Sequence, residues 1–246
     1  MAVSIFVKAV PVPRPVAALL AFVAGMVDAC TVFGLFGLYV AQVTGSFVLI
    51  GVQVVNADIV NVVRTLAIPV FFLSGFVTAL LAELAGDGRR ALSGALGAEL
   101  ILVTALVGLG IAYTPFAGPN APQALLASLI GVVAMGVQSA MVRLLMRNVA
   151  STNVMTTNTT LAAIELAQWS IAARRARLRP DSAAAQKARG EARSRFAGLW
   201  PVLLGFLGGA ICGAIGYRWA GFTVLAAAAA ILAGLTVWAM RLKPEA

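Results

Sequence analysis

The sequence predicts an all-α integral membrane protein with six transmembrane helices and two re-entrant, broken-helix hairpins in an inverted 3+3 repeat. Composition, a duplicated polar pattern and the placement of basic residues predict it. Hydrophobic residues make up 61% of the chain and charged residues 11%, whereas a soluble domain carries roughly 25% charged residues. Several apolar stretches approach the about 20 residues that a spanning helix needs. We therefore expect a multi-pass protein of the bacterial cytoplasmic (inner) membrane, with the lipid bilayer as its surroundings.

The apolar stretches set the order of the predicted elements. They lie at roughly 16–36, 39–56, 60–82, 94–116, 121–142, 148–169, 197–217 and 220–240. Prolines interrupt the start of the chain around Lys8 and Arg14, so residues 1–15 are expected to be a cytoplasmic tail and not a cleaved signal. The first predicted repeat covers 16–116 and the second covers 117–241. A second cytoplasmic tail is predicted at 242–246.

One polar pattern occurs in both halves of the chain. The first copy is Gly25–Ala29 followed by Thr44-Gly45-Ser46, and the second is Gly136–Ala140 followed by Thr156-Thr157-Asn158. In each copy a helix of small residues carries a polar group, and a polar break then interrupts an apolar stretch. Paired interruptions of this kind point to the binding site of a transporter built from repeats.

The basic residues distinguish two topologies, because Lys and Arg collect on the cytoplasmic side. If all the apolar stretches span, the two repeats run parallel. If the second and sixth are re-entrant, each repeat has three spans and the second is inverted, which leaves only Arg64 and Arg218 outside. The parallel arrangement places a larger set outside: Arg89, Arg90, Arg143, Arg147 and Arg218. We therefore expect six spans, with both termini in the cytoplasm.

The two hairpins are predicted to form a polar site near the membrane midplane. Ser, Thr and Asn cap helix starts, and each polar triplet precedes an apolar run, so each hairpin would point a helix start at the membrane centre. Helix starts present free N–H groups that suit polar or anionic solutes. The competing interpretation is that these side chains only satisfy their own helices or join neighbouring ones. The candidate substrate-binding residues are Asp28, Thr44, Gly45, Ser46, Gln138, Ser139, Asn153, Thr156, Thr157 and Asn158.

Asp28 is the candidate for proton or ion coupling. It lies inside the first predicted span, where an ionised side chain costs at least ~2.5 kcal/mol, and such groups usually serve an ion or proton path. The alternative is a buried carboxyl that hydrogen-bonds a hairpin and only holds the fold. In the second copy Ser139, next to Gln138, takes the corresponding place, so we expect one titratable site per chain.

Other charged residues suggest a gate and a membrane-facing loop. Glu99, Arg143 and Arg147 lie toward the predicted cytoplasmic side and form a candidate inner gate. The predicted cytoplasmic loop 174–195 is strongly basic. We interpret it as a topology determinant, with binding of anionic lipid headgroups as an alternative, and we expect no nucleic-acid partner.

Small residues recur every four positions on two predicted helices. Gly205, Gly209 and Gly213 form one such face, and Ser74, Thr78 and Ala82 form the other. Faces of this kind let helix backbones approach closely in lipid. They predict either packing between the two repeats or packing between two protomers in a homodimer.

The first-helix residues Val27-Asp28-Ala29, followed by Thr44-Gly45 and an apolar run, resemble the YoaK-like family of bacterial multi-pass membrane proteins. The resemblance extends over nearly the whole chain, including the spacing of apolar stretches. Ser46 stands where that family usually has Asn, and a serine can cap a helix but lacks the paired donor and acceptor of an amide. The resemblance implies six-helix membrane proteins of uncharacterised function, and it names no substrate.

The function predicted from these features is transport of a small polar or anionic solute, proton-coupled through Asp28, with access alternating around the two hairpins. The alternatives are a channel in which the hairpins form a fixed filter, and a non-transporting membrane scaffold or partner subunit. The sequence contains no His, no nucleophile elbow and no phosphate-binding glycine loop. We therefore predict no enzyme activity, no catalytic residue, no metal site and no cofactor.

Overall fold

Helices dominate the computed structural model, which describes residues 7–55, 62–147 and 149–242. The helices are α1 (Arg14–Gly34), α2 (Val43–Val55), α3 (Val62–Ala85), α4 (Gly88–Tyr113), α5 (Pro122–Leu145), α6 (Met155–Leu178), α7 (Ala183–Ala220) and α8 (Leu225–Met240). A 3-10 turn at Gly221–Val224 joins α7 to α8. Two short strands, β1 (Val10–Pro11) and β2 (Met146–Arg147), pair in parallel. Residues 1–6 and 243–246 of the predicted tails lie outside the described residues.

Five helical segments among the described residues are long and apolar enough to cross a membrane. They are Arg14–Gly34, Val62–Ala85, Gly88–Tyr113, Pro122–Leu145 and the continuous stretch Ala183–Met240, which holds α7, the 3-10 turn and α8. The prediction of a helical multi-pass membrane protein is confirmed at this level. Local signals set the helix starts. Pro15 and Pro122 lie in first turns, where a missing N–H costs nothing, and Asp87 caps α4 by accepting from the Arg89 N–H at 2.8 Å.

Two of the predicted apolar stretches differ in form from the spanning helices. The helix α2 is described over 13 residues, about 20 Å, and residues 56–61 that follow it lie outside the described residues. The helix α6 begins at Met155 after the irregular segment 149–154. Both starts lie at the polar triplets, but the triplets occupy first turns instead of cap positions. At α6 the capping residue is Val154, which makes no side-chain cap hydrogen bond.

The small-residue face of α7 packs against α1 of the same chain. A Cβ added at Gly205 would meet the Ala18 carbonyl oxygen, and one at Gly209 would meet that of Phe22. Residue numbers rise together along this contact, so α1 and α7 run parallel. The sequence left open whether these glycines pack the two repeats or two protomers. In the structure they bring the two predicted repeats together within one protomer.

The second close crossing joins α5 to α3, where a Cβ at Gly136 would overlap the Ser74 hydroxyl. The helix α4 lies between α5 and α8. Gly110 faces Phe222 and Gly97 approaches Thr236, so α8 runs antiparallel to α4. Gly221 has a φ of 58°, a left-handed conformation that glycine adopts without a side-chain clash, and this lets the chain turn back after α7.

Most basic residues gather at one end of the bundle, which we call the basic end. The two strands pair there, and the Val7 N–H donates to Glu83 Oε2 near the end of α3 at 2.9 Å. Arg89, at the start of α4, donates to the Leu242 carbonyl at 2.9 Å, so both ends of the described chain lie at the basic end. At the opposite end Arg64 donates to the Phe36 carbonyl at 3.4 Å.

The predicted basic loop 174–195 is largely helical. It forms the end of α6 and the start of α7, which pair as an antiparallel hairpin. Arg195 donates to Glu165 Oε2 at 2.9 Å, and Gln186 donates to the Ala176 carbonyl at 3.3 Å. This stretch is rich in Ala and Arg, which have high helix propensities, so both helices extend beyond the apolar part of the sequence.

Candidate functional site

Asp28 fastens the loop that precedes α2. Its Oδ1 accepts the backbone N–H groups of Val40 and Ala41, both at 2.8 Å, and its Oδ2 accepts from Gln42 Nε2 at 3.2 Å. The carboxyl is 3% exposed. Hydrogen bonds to a charged acceptor are roughly twice as strong as neutral ones. Asp28 therefore satisfies backbone donors that a loop buried among helices could not leave unpaired.

Gln138 holds the loop that precedes α6, as Asp28 holds the loop that precedes α2. Its Nε2 donates to the Leu20 carbonyl of α1 at 2.8 Å and to Thr152 Oγ1 at 2.9 Å. Thr152 donates to Asn153 Oδ1 at 2.7 Å, and Asn153 Nδ2 donates to the Met135 carbonyl of α5 at 3.2 Å. All three polar side chains are buried. This network joins the loop to α1 and α5 together.

In the second half of the chain, the side chain that bonds to the loop before the next helix, as Asp28 does in the first half, is Gln138 and not Ser139. Ser139 is half-buried and makes no side-chain hydrogen bond within the described residues. One residue along a helix turns a side chain by about 100°, so Gln138 and Ser139 face different neighbours, and Gln138 is the one that reaches the loop. Sequence reasoning also did not identify Gln42, which bonds to Asp28, or Thr152, which bonds to Gln138.

Both loops contact the groove between α1 and α5. Val40 packs against Gly131 of α5, and Asn153 bonds to α5 nearby. The two anchor points on α1, Leu20 and Asp28, are about 12 Å apart along the helix. One loop descends from the opposite end and the other rises from the basic end. The loops before α2 and α6 are thereby both held against the same two helices, α1 and α5.

The polar triplets divide into buried and exposed side chains. Ser46 and Asn158 are buried at 3% and 1% exposure, and Asn158 donates to the Ser151 carbonyl at 2.6 Å. Thr44, Thr156 and Thr157 are exposed, and Gly45 is half-buried. Asn158 thus helps to hold its loop, whereas Thr44, Thr156 and Thr157 lie at the surface of the described structure.

The candidate gate residues are not brought together in this structure. Glu99 is fully buried, and neither of its carboxyl oxygens has a hydrogen-bond partner in the described part of the chain. Arg143 is exposed near the end of α5, and Arg147 donates to the Ala9 carbonyl at 3.3 Å. At the basic end Arg195 of α7 forms an ion pair with Glu165 of α6.

A cavity of about 710 Å³ opens at the basic end. Its charged lining is Arg14, Arg147, Arg195 and Glu165, and its apolar lining includes Ala17 and Val202. Arg14 donates to Ser194 Oγ at 3.3 Å across this space. The three arginines against one carboxylate make the entrance attractive to anions.

Comparison with known proteins gives a family and no activity. No curated protein and no solved structure matches the chain. A family described as "Protein of unknown function (DUF1275)" matches residues 16–238, from the first turn of α1 to the last turns of α8. Both fastened loops and every candidate site residue lie within this range. The chain belongs to the DUF1275 family of proteins of unknown function.

Proposed function

We propose that this protein is a small-solute transporter of the bacterial cytoplasmic membrane, with its site between the starts of α2 and α6. The observation that carries the proposal is the pair of loops that enter the bundle from opposite ends. Each loop is fastened by a buried polar side chain, Asp28 or Gln138, and each leads directly into the start of a helix, α2 or α6. Irregular backbone at membrane depth is tolerated only inside protein or beside a polar cavity.

The packing of the helices supports an inverted repeat of α1–α4 and α5–α8. The helix α1 packs on α7 and α8, and its equivalent α5 packs on α3 and α4. Likewise α2 packs on α3, and α6 packs on α7. Exchanging the two halves leaves this set of contacts unchanged, as a pseudo-twofold axis in the membrane plane requires. The matched glycines Gly25 and Gly136 each lie at one of the exchanged crossings.

The charges support six spans and two re-entrant segments. The starts of α1 and α4 and the ends of α5 and α8 lie at the basic end, and only Arg64 and Arg218 of the described basic residues lie at the other. Lys and Arg accumulate in the cytoplasm, so we assign the basic end to the cytoplasm. The spanning helices are then α1, α3, α4, α5, α7 and α8, with α2 re-entrant from outside and α6 from inside.

The site suits a small polar or anionic solute. A helix start leaves backbone N–H groups without intrahelical partners and carries partial positive charge. The exposed hydroxyls of Thr44, Thr156 and Thr157 add donors and acceptors beside these groups. The arginine-lined cavity at the basic end would draw anions toward the site from the cytoplasm.

A channel is the second candidate, because both loops are held by several buried hydrogen bonds. Asp28 accepts three such bonds, and the Gln138 network joins its loop to two helices. Loops held this firmly could serve as a fixed filter. A non-transporting scaffold is the interpretation to adopt if neither kind of flux exists.

Counterflow in liposomes separates these functions. Purified protein is reconstituted into vesicles preloaded with unlabelled phosphate, lactate or alanine, and entry of the same labelled solute is followed. A carrier accumulates label transiently above equilibrium, whereas a channel only equilibrates it. We expect Thr156→Val with Thr157→Val to reduce counterflow. The control Thr104→Val alters an exposed threonine that bonds its own helix at Leu100, and it should leave counterflow unchanged.

Two results would overturn the assignment. Equilibration without counterflow for every solute that enters would replace the carrier with the channel. Folded protein that moves none of the probes, together with a larger panel of neutral and anionic solutes, would favour the scaffold.

A further inference from the structure

Glu99 differs from every other acidic side chain in the described part of the chain. It is fully buried, and both of its carboxyl oxygens lack a hydrogen-bond partner. Asp28 is almost as buried, but each of its oxygens accepts at least one hydrogen bond. An ionised carboxylate without a partner is strongly unfavourable in an apolar interior, whereas a protonated carboxyl is far less so. The proposed transport site between α2 and α6 gives Glu99 no role.

Glu99 lies near the middle of the membrane and faces the bundle. It is 11 residues after Gly88 and 14 before Tyr113, so it lies about 16 Å and about 21 Å from the ends of α4. The buried positions of α4 form one stripe, which includes Leu96, Glu99 and Val103. The side chain is therefore directed toward the helical core and away from lipid.

Charged groups are remote from this position on every element that packs against α4. These elements are α3, α5, α8 and the 3-10 turn. The helix α3 carries Arg64 and Glu83 near its two ends, and α5 carries Arg143 in its last turn. The helix α8 and the 3-10 turn carry no titratable side chain. Among the described residues Glu99 therefore has no ion-pair partner to hold it in the charged form.

The helix α5 passes close to the part of α4 that holds Glu99. Val133 and Val137 of α5 line the same groove as Ala98 and Leu102 of α4, so α5 packs beside the segment of α4 that holds Glu99. The Gln138 Oε1 atom is itself buried without a partner among the described residues. A protonated Glu99 has a hydrogen to donate to such an acceptor, and an ionised one has none. Only protonated Glu99 could therefore donate to Gln138 if the transport cycle brought the two side chains together.

We propose that Glu99 is the proton-binding carboxyl of the transport cycle and that Asp28 holds the fold. This inference rests on the proposed transporter function. In the conformation described here Glu99 keeps its proton. When water from one side reaches it, the O–H bond breaks and the proton passes to water; the carboxylate later takes a proton from water on the other side. A metal ion would need several oxygen ligands, and the described residues contain no group of three acidic, Cys or His side chains placed to hold one.

The first test needs no solute. Dicyclohexylcarbodiimide, an apolar reagent, modifies protonated carboxyls inside membranes, and peptide mass spectrometry locates the product. We expect modification at Glu99, absent from Glu99→Gln and retained in Asp28→Asn, and falling as the pH of the medium is raised. Absence of the product at Glu99 in folded protein, or a yield that does not change with pH, would overturn the proposal.

The second test separates coupling from solute binding. Glu99→Gln mimics the protonated side chain, so it should fold with wild-type thermal stability and retain counterflow. It should lose uptake driven by a proton gradient. Gradient-driven uptake that survives in Glu99→Gln and disappears in folded Asp28→Asn would return the coupling role to Asp28. If no probe solute moves but pH-dependent modification of Glu99 persists, the transporter assignment fails while the proton site stands.

Discussion

Asp28 is the side chain whose removal should most directly release the loop before α2. Replacing it with alanine leaves the backbone N–H groups of Val40 and Ala41 buried without an acceptor. A buried donor left unsatisfied costs about 1–3 kcal/mol. The Asp28→Ala protein should therefore lose about 2–6 kcal/mol of stability. Asp28→Asn retains an oxygen acceptor but loses the charge, so we expect it to lose about half as much.

The assay is thermal unfolding in detergent, combined with hydrogen exchange at the backbone amides of Val40 and Ala41. Ser139→Ala is the matched control, because Ser139 occupies the position that sequence comparison equates with Asp28 yet makes no side-chain hydrogen bond within the described residues. It should change stability by no more than about 0.5 kcal/mol. An Asp28→Ala protein that melts with the wild type and shows wild-type exchange at both amides would refute the fold-holding role.

Three further perturbations address packing, topology and the basic end. Gly209→Ala places a Cβ against a carbonyl oxygen of α1 and should lower the melting temperature, whereas Gly94→Ala, which meets open space, should leave it unchanged or raise it. In a Cys30→Ala, Cys212→Ala background, Ala85→Cys should react with a membrane-impermeant maleimide only from the cytoplasm and Ala117→Cys only from outside. Hydrogen bonds from Arg89 lower the pKa of Asp87, so its cap stabilises the fold at neutral pH and is lost as the pH falls below the ordinary aspartate value; Asp87→Ala should flatten the acid limb of a stability-versus-pH curve.

Each of these has a contradicting result. Equal melting of the two glycine variants would show that α1 and α7 do not pack as described. Labelling of Ala85→Cys from outside and Ala117→Cys from inside would favour eight parallel spans. An acid limb that is the same in wild type and in Asp87→Ala would mean that the cap is insensitive to protonation.

The apolar stretches were predictable because a spanning helix needs a long run without charge. The predicted stretch 94–116 corresponds to α4, which starts earlier because Asp87 caps it. The predicted stretch 197–217 corresponds to α7, which begins at Ala183 because the preceding basic segment is also a good helix former. The polar breaks were likewise visible, since they interrupt otherwise apolar sequence. Whether α2 and α6 are re-entrant in a membrane stays a prediction.

The partners of single polar side chains were not predictable. Asp28 and Gln138 each bond to residues 12 to 14 positions away. The turn in between has no local sequence signal that predicts its path. The sequence therefore left open whether Asp28 serves coupling or the fold, and it paired Asp28 with Ser139. For Glu99 the sequence indicated an inner gate with Arg143 and Arg147, because all three lie toward the same predicted side of the membrane. Position along a helix does not say which way a side chain faces, so the sequence could not show that Glu99 is buried in the core.

By itself the sequence determined that this is a helical membrane protein, where its apolar segments lie, and where two polar breaks interrupt them. These properties depend on composition and spacing along the chain, which local hydrophobicity expresses directly. Only the tertiary structure decided that Gly205, Gly209 and Gly213 bring the two halves of one chain together. It also showed that both carboxyl oxygens of Asp28 accept hydrogen bonds, whereas neither carboxyl oxygen of Glu99 has a partner among the described residues. Those features depend on helix rotation and on contacts between residues far apart in the chain, and packing alone sets them.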